Sequence, residues 1–382
     1  MTEYLPAFII FVMDISIVYN KISEDLRVPL TPGAVSTIVK EGNDVYFLKG
    51  AGTASGFSDR EYELKGAKIA YTEEEICKRG DLIISVTPLP YDFLAMIKRG
   101  ATVMSFQHLA VASEKYLDLL LEREITSIGF EVISDERGEL VIEAATGEIA
   151  GALGVQIAAS YLQTNKGGRG ILLGGAPGIE PANVLIIGAG SVGRSAARTA
   201  SALGARVLII DRNVEKLRLV EDTIGKSVST GFSSTHGIAE WIKNADVVIG
   251  AVYLKGAKSP IVVKEEMVKT MKKGSVIIDL SIDQGGCVET SRPTTLSNPV
   301  FEKFGVVHYC VPNIPSLAAR ASSQALSHAL FPYIVEIGNT GDGYLKSIPS
   351  LARGTYTYKG KITMKVLADL FNRKYTPIEE IV

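Results

Sequence analysis

Four polar residues lie in loops that follow apolar runs, and each could handle a small acid or a proton. Arg27, in Glu24-Asp25-Leu26-Arg27-Val28-Pro29-Leu30-Thr31-Pro32, stands between a first strand and a proline-started helix. A guanidinium there can clamp a carboxylate through two parallel hydrogen bonds, or it can pair as a surface cation with Glu24 or Asp25. His108 follows the apolar run Thr102–Met104 and is the histidine placed just past a strand of the N-terminal region. Imidazole suits proton transfer near neutrality, whereas a lone histidine is more often structural. Asp283, in Ser281-Ile282-Asp283-Gln284-Gly285-Gly286-Cys287, comes directly after a strand ending at Leu280, and Asn313 sits between Pro312 and Pro315. Either can also be an ordinary turn residue. Hydride transfer needs a carboxylate binder and an acid or base beside a nicotinamide, and this set supplies both. His236, His308 and His328 have no comparable placement and read as structural.

The segment Val184 to Asp211, VLIIGAGSVGRSAARTASALGARVLIID, supplies the nucleotide half of that chemistry. An apolar run enters Gly188-Ala189-Gly190-Ser191-Val192-Gly193, a helix-forming stretch follows, and a second apolar run ends on an acid. Gly188 serves the tight turn, Gly190 lets backbone approach a pyrophosphate, and Gly193 allows close helix-strand packing. The helix opening there offers unpaired N–H groups to an anion. Asp211, at the end of the second strand, can bond both ribose hydroxyls and repel a 2′-phosphate, which favours NAD over NADP. Arg212 beside it weakens that preference, because a guanidinium can accept the phosphate.

The elements that must position these residues alternate in type. Ile15–Val18, a helix from Pro32 to Glu41, Asp44–Leu48, a helix near Glu73–Lys78, Asp81–Val86 and Thr102–Ser105 imply a parallel sheet with covering helices and no glycine fingerprint. Glu148–Gln163 has apolar and small residues at helical spacing, and the glycine-rich stretch from Lys166 to Gly178 reads as an irregular loop, able to line a crevice or to serve as a plain flexible connector. After Asp211 the runs Ala245–Ala251 and Gly274–Leu280 continue the nucleotide unit, and the tail carries a helix over Ser322–Gly338, a small hairpin and a last helix. The expected fold is α/β, with two doubly wound, Rossmann-like domains and a cleft between them. Residues 1–140 with 320–382 are expected to form the substrate domain and 141–319 the NAD-binding domain.

At 382 residues two domains are the natural expectation. With 40 basic against 42 acidic residues, there is no electrostatic footprint for nucleic acid or an anionic membrane. Cys77, Cys287 and Cys310 lack metal-ligand spacing and a disulfide framework, so buried thiols in a reducing cytoplasm and no metal site are expected. The apolar stretch Tyr4–Tyr19 has no preceding Lys or Arg and is interrupted by Asp14, and it reads as globular, with residues 1–12 an extension ahead of the first strand. No other stretch reads as long and apolar enough to span a bilayer.

Taken together, Arg27-Val28-Pro29-Leu30-Thr31-Pro32, the His108 segment, Gly167-Gly168-Arg169-Gly170, the Gly188–Asp211 fingerprint, the Ile282-Asp283-Gln284-Gly285-Gly286-Cys287 block with Ser291-Arg292-Pro293-Thr294-Thr295, and His308-Tyr309-Cys310-Val311-Pro312-Asn313 resemble alanine dehydrogenase. The superfamily includes the NAD-binding component of transhydrogenase and saccharopine dehydrogenase. The resemblance runs from about Asp14 to the C-terminus. It implies that Arg27 binds the substrate carboxylate, that His108 is the general acid/base, and that Asp283 organises the proton relay and the nicotinamide. Gly188, Gly190, Ser191, Val192, Gly193 and Asp211 would hold NAD, with Val252 and Asn313 near its nicotinamide half. The implied reaction is reversible oxidative deamination of L-alanine, or of a related small amino acid, by a homo-oligomer, hexamer or dimer. Two positions depart from the family pattern. Thr87 stands where a Lys of the K-V-K-E-P pattern polarises the substrate carbonyl, and Gly147 stands where a serine precedes the E-[IV]-A-G step. The first departure keeps open an NAD-binding protein with an altered substrate or without dehydrogenase activity.

Overall fold

Strand cores in this chain are unbroken apolar runs, as strands buried on both faces require. Every residue of Leu82–Ile84, Val247–Gly250 and Val276–Asp279 is buried. The computed structural model describes residues 13–19 and 24–382, so the expected extension over residues 1–12 lies outside the described residues. The chain divides into two compact units, one running to Ile142 and resuming over Ala319–Val382, the other Glu143–Ala318.

The first unit opens with β1 (Asp14–Ile17), β2 (Asp44–Leu48), β3 (Lys68–Ala70), β4 (Leu82–Ile84), β5 (Thr102–Ser105) and β6 (Thr126–Gly129). The second carries β7 (Asn183–Ile187), β8 (Arg206–Asp211), β9 (Val228–Phe232), β10 (Val247–Gly250), β11 (Val276–Asp279), β12 (Val300–Lys303) and β13 (Val306–Tyr309). The chain then returns to the first unit for β14 (Thr355–Tyr358) and β15 (Lys361–Ile362). The eight-stranded sheet has the order β15-β14-β6-β5-β4-β1-β2-β3, and the seven-stranded sheet the order β12-β13-β11-β10-β7-β8-β9. Pairing is parallel except where β12, β14 and β15 join. In both sheets the order reverses beside the first strand of the unit, between β1 and β4 and between β7 and β10. Open α/β sheets bind ligands outside the strand carboxyl ends at such a switch point.

Helix starts follow local chemistry. Pro32 occupies the first turn of Pro32–Lys40, where its missing N–H costs nothing. Thr72 caps Glu73–Arg79, whose acids lie in the first turn and whose Lys78 and Arg79 lie in the last, matching the helix dipole. In the second unit alternate residues of β7 feed two separate cores, Val184 and Ile186 on one face of the sheet and Leu185 and Ile187 on the other.

One expectation is corrected, and the place of one loop is defined. A helix over Val141–Tyr161 is long and apolar enough to cross a membrane, contrary to the sequence reading. Its composition answers to packing: a Cβ on Gly151 would lie 2.3 Å from the Val192 carbonyl oxygen, and Val155 and Ala158 are buried in the core. The glycine-rich loop of residues 166–178 does not border the glycine turn. Arg169 Nε pairs with Asp246 at 3.2 Å, just before β10, and Gly174 abuts Leu203, shortly before β8. Because β7, β8 and β10 run parallel, the loop clamps the amino edge of the sheet, opposite to the turn.

Candidate functional site

The carboxyl edge of the first sheet gathers the residues singled out in that unit. Arg27 precedes the first helix on the connection from β1, Thr87 follows β4, and His108 follows β5. Arg27 is buried, 3% exposed, and its pairing with Asp25 is also present. The fork is two-pronged: Nε and Nη2 donate to the Asp25 carboxylate at 3.0 and 2.7 Å, and the Arg27 backbone N–H donates to it at 3.0 Å. The guanidinium carbon lies 5.5 Å from the centroid of the Phe106 ring, a cation–π distance, and the His108 ring lies parallel to Phe106 at 5.9 Å. Phe106 therefore brings Arg27 and His108 into one cluster. Thr87 is half-buried in a bend braced by Ser85, whose hydroxyl donates to the Thr87 carbonyl at 2.7 Å.

His108 adopts a left-handed backbone, φ 46°, which costs a non-glycine residue energy and needs outside support. Glu131 gives it. This carboxylate, fully buried just past β6, accepts the His108 N–H at 2.7 Å and the Gln107 N–H at 3.1 Å. Glu131 and Phe106 were missed from sequence, whereas Asp25 is one of the two partners expected for Arg27, here buried with it instead of at the surface. The available signal was an acid inside the apolar stretch Gly129-Phe130-Glu131-Val132-Ile133, since a buried carboxylate must find donors.

In the second unit the glycine turn has the form its residues imply. Gly188 holds φ 108°, and a Cβ there would lie 2.2 Å from the Ala251 carbonyl oxygen across the switch point. On Gly193 a Cβ would lie 1.8 Å from the Gly188 carbonyl oxygen, so the helix Ser191–Ala202 can seat against the turn only without a side chain. A Cβ on Gly190 would meet nothing within 4 Å, which leaves the turn open where a pyrophosphate is expected. Asp211 caps the same turn, accepting the Ala189 N–H at 2.7 Å and the Asn213 N–H at 2.8 Å, with Arg212 exposed beside it. Gly147 leaves the space that Val192 fills, for its Cβ would lie 2.9 Å from Val192 Cγ2. These residues fit a dinucleotide.

Asp283 and Asn313 meet at the same sheet edge, the Asn313 N–H donating to Asp283 Oδ1 at 3.0 Å with Asn313 left-handed at φ 56°. Val252 is tied nearby, its N–H donating to Ser281 Oγ at 2.9 Å. Beneath them lies Asp279, also missed from sequence, which accepts backbone N–H groups of Ser281, Cys287 and Val288 at 3.1 to 3.2 Å. Burial pushes its carboxyl above the usual range while these donors pull it down. It fixes the loop that carries Asp283. His308 is fully buried: its Nδ1 faces the Val306 carbonyl at 2.9 Å and its Nε2 the Thr290 hydroxyl at 2.8 Å. All three cysteines are buried and free, and desolvation pushes the Cys77 and Cys310 thiols up to about 12. No metal-holding cluster occurs among the described residues.

Two doubly wound units, one bearing a glycine turn that fits a dinucleotide and the other a buried arginine and a half-buried histidine at its carboxyl edge, define a nicotinamide-dependent oxidoreductase. Family models carry the assignment further: residues 18–150 match the alanine dehydrogenase/PNT N-terminal domain and residues 154–365 the C-terminal domain. The alanine dehydrogenase of Methanococcus maripaludis is 42% identical over 359 residues, covering 93% of this chain and 95% of its own. That of Bacillus subtilis is 40% identical, covering 93% of each. A solved L-alanine dehydrogenase superposes with a TM-score of 0.86 at 35% identity, over 94% of this chain and 99% of its own. A transhydrogenase of Sinorhizobium meliloti, at 22% identity and a TM-score of 0.74, shares the fold. The chain belongs to the alanine dehydrogenase/PNT family.

Proposed function

We propose that this protein is an NAD-dependent dehydrogenase of L-alanine or a related small amino acid. The observation that carries the reading is the Arg27, Phe106 and His108 cluster at the carboxyl edge of the first sheet. Residues 1–140 with 320–382 act as the substrate domain and 141–319 as the NAD domain. Arg27, held by Asp25, binds the substrate carboxylate. His108 takes a proton from the substrate as it is oxidised and returns one in the amination direction. Asp283 orients the reacting amide half of the cofactor with Asn313 and Val252. The bound nicotinamide supplies hydride chemistry. Over one turn L-alanine, water and NAD+ become pyruvate, ammonium, NADH and a proton. Asp211, already committed to the turn, receives the ribose hydroxyls and disfavours NADPH. The protein is cytoplasmic and acts as a homo-oligomer, hexamer or dimer, without nucleic-acid or membrane partners.

NADH oxidation with pyruvate and ammonium tests this directly, with NADPH as the comparison. Turnover that needs both co-substrates and is lost in His108→Ala supports the reading; a folded protein that binds NADH and turns over no member of a 2-oxo acid panel overturns it. Thr87 favours a second reading, an NAD-binding protein with another substrate or no dehydrogenase activity. A neutral hydroxyl stabilises a developing oxyanion less than an ammonium, by several kcal/mol of barrier. Thr87→Lys should therefore raise kcat about tenfold or more with pyruvate if alanine chemistry is native to the site. No gain would favour the second reading.

A further inference from the structure

The backbone of His108 is linked through Glu131 to a tyrosine near the far end of the chain. β14 pairs antiparallel with β6, Thr355 opposite Ile128 and Thr357 opposite Ser127, so Tyr356 is the extra residue of a β-bulge. Bulges re-aim side chains, and this one sends the Tyr356 ring across the end of β6. Gly129 makes the crossing possible, since a Cβ there would lie 2.4 Å from Tyr356 Cε2. The ring is 1% exposed, and its hydroxyl donates to Glu131 Oε1 at 2.9 Å. That same oxygen accepts the His108 N–H. One buried carboxylate thus ties a phenol from the C-terminal hairpin to the backbone of two consecutive residues after β5.

We propose that Glu131 and Tyr356 are positioning residues for His108: the bulge presents the phenol, the phenol fixes the carboxylate, and the carboxylate holds His108 in its left-handed conformation. The proposal rests on the alanine-dehydrogenase reading for its kinetic consequence and on geometry alone for its structural one. Neither residue is asked to touch substrate or cofactor. Their loss should therefore act on proton transfer at His108 and spare binding through Arg27 and the glycine turn.

Tyr356→Phe, Glu131→Gln and Glu131→Ala, made in the full-length protein, separate the possibilities. Misplacing a reacting group by about 1 Å costs on the order of a hundredfold in rate. The expected kcat losses with pyruvate are about tenfold for Tyr356→Phe and about a hundredfold for Glu131→Ala, with Glu131→Gln, which keeps a carbonyl acceptor, in between. KM for pyruvate and the NADH dissociation constant should stay within about twofold of wild type. Amide hydrogen exchange over residues 106–112 should accelerate in the same order. If Glu131→Ala does not fold, Tyr356→Phe and Glu131→Gln decide. Folded variants with wild-type kcat, or losses confined to KM, overturn the proposal. Should the wild-type protein itself show no 2-oxo acid turnover, the functional reading has failed, and hydrogen exchange alone decides whether the strut holds His108: unchanged exchange overturns it.

Discussion

The two units share one strand order and differ in their first turn. From the outer parallel strand inward and across, β3-β2-β1-β4-β5-β6 repeats as β9-β8-β7-β10-β11-β13. After β7 the chain turns through Gly188, Ala189 and Gly190 and enters a helix at Ser191. After β1 the corresponding helix does not begin until Pro32, and the connection carries Asp25 and Arg27. The short turn offers backbone, because its glycines let N–H groups and carbonyls approach the switch point with no side chain between. The long connection offers side chains, held by burial. A phosphate-bearing ligand is served by the first solution and a small carboxylate by the second.

Charge in the long connection makes the first unit the more sensitive to truncation. Arg27→Met removes a guanidinium from a pair whose side chains are 2% and 3% exposed, leaving the Asp25 carboxylate buried without it. Breaking such a pair costs about 3–5 kcal/mol. Urea unfolding should show that loss, together with a KM for pyruvate raised by more than about tenfold, while NADH affinity stays unchanged. Asp25→Asn combined with Arg27→Met should recover part of the stability and none of the substrate affinity. Stability that survives Arg27→Met intact would mean the pair does not organise the connection.

Steric fit makes the second unit sensitive at Gly193 and tolerant at Gly190. Gly193→Ala drives a Cβ against the Gly188 carbonyl at 1.8 Å, where only backbone can yield. Overpacking of this kind costs about 1–3 kcal/mol and opens the turn, so both melting temperature and NADH affinity should fall. Gly190→Ala adds a methyl to open space. Its melting temperature should match wild type, while NADH binding weakens by about tenfold through lost approach to the pyrophosphate. Equal effects at the two positions would erase the distinction between a packing glycine and a ligand glycine.

How far each unit was legible follows from the same contrast. The form of the glycine turn could be read because its constraints are local: Gly188, Gly190, Gly193 and Asp211 are spaced by the geometry of one strand-turn-helix-strand unit. Arg27 and His108 could be marked as candidates because loops after strands carry function. Their mutual arrangement could not, because Phe106 and Glu131 join them through contacts that no spacing encodes. Tyr356 lies furthest out of reach, since its approach depends on a bulge register and on Gly129. The helix expected over Glu148–Gln163 extends back to Val141, and its membrane-compatible length was hidden for a related reason. Gly147, Gly151 and Gly154 look like helix-weakening residues in sequence and act as packing surface in the fold. What the loop of residues 166–178 packs against is decided by parallel pairing: it precedes β7 and so meets the amino edge of that strand, whatever its glycine content.

The smallest expected effect separates the two histidines that lie in or just past strands. His108 sits beyond β5 within the proposed chemistry, whereas His308 sits inside β13, stacked 4.9 Å from Phe301. A carbonyl can only accept, so Nδ1 of His308 carries a proton to Val306 and Nε2 accepts from Thr290, which is the neutral ring. Burial lowers its pKa below the ordinary 6.5. The unfolded chain therefore binds a proton there at a higher pH than the folded chain does. Stability from this group is complete above about pH 6.5 and is lost as pH falls through the lower folded value, at no more than about 1.4 kcal/mol per pH unit. His308→Gln should be less stable than wild type at pH 8 because it repacks the strand, yet flatter between pH 6.5 and 5 when unfolding free energies are measured in urea. A variant as steep as wild type would move the acid sensitivity to another group and leave His308 without a titrating role.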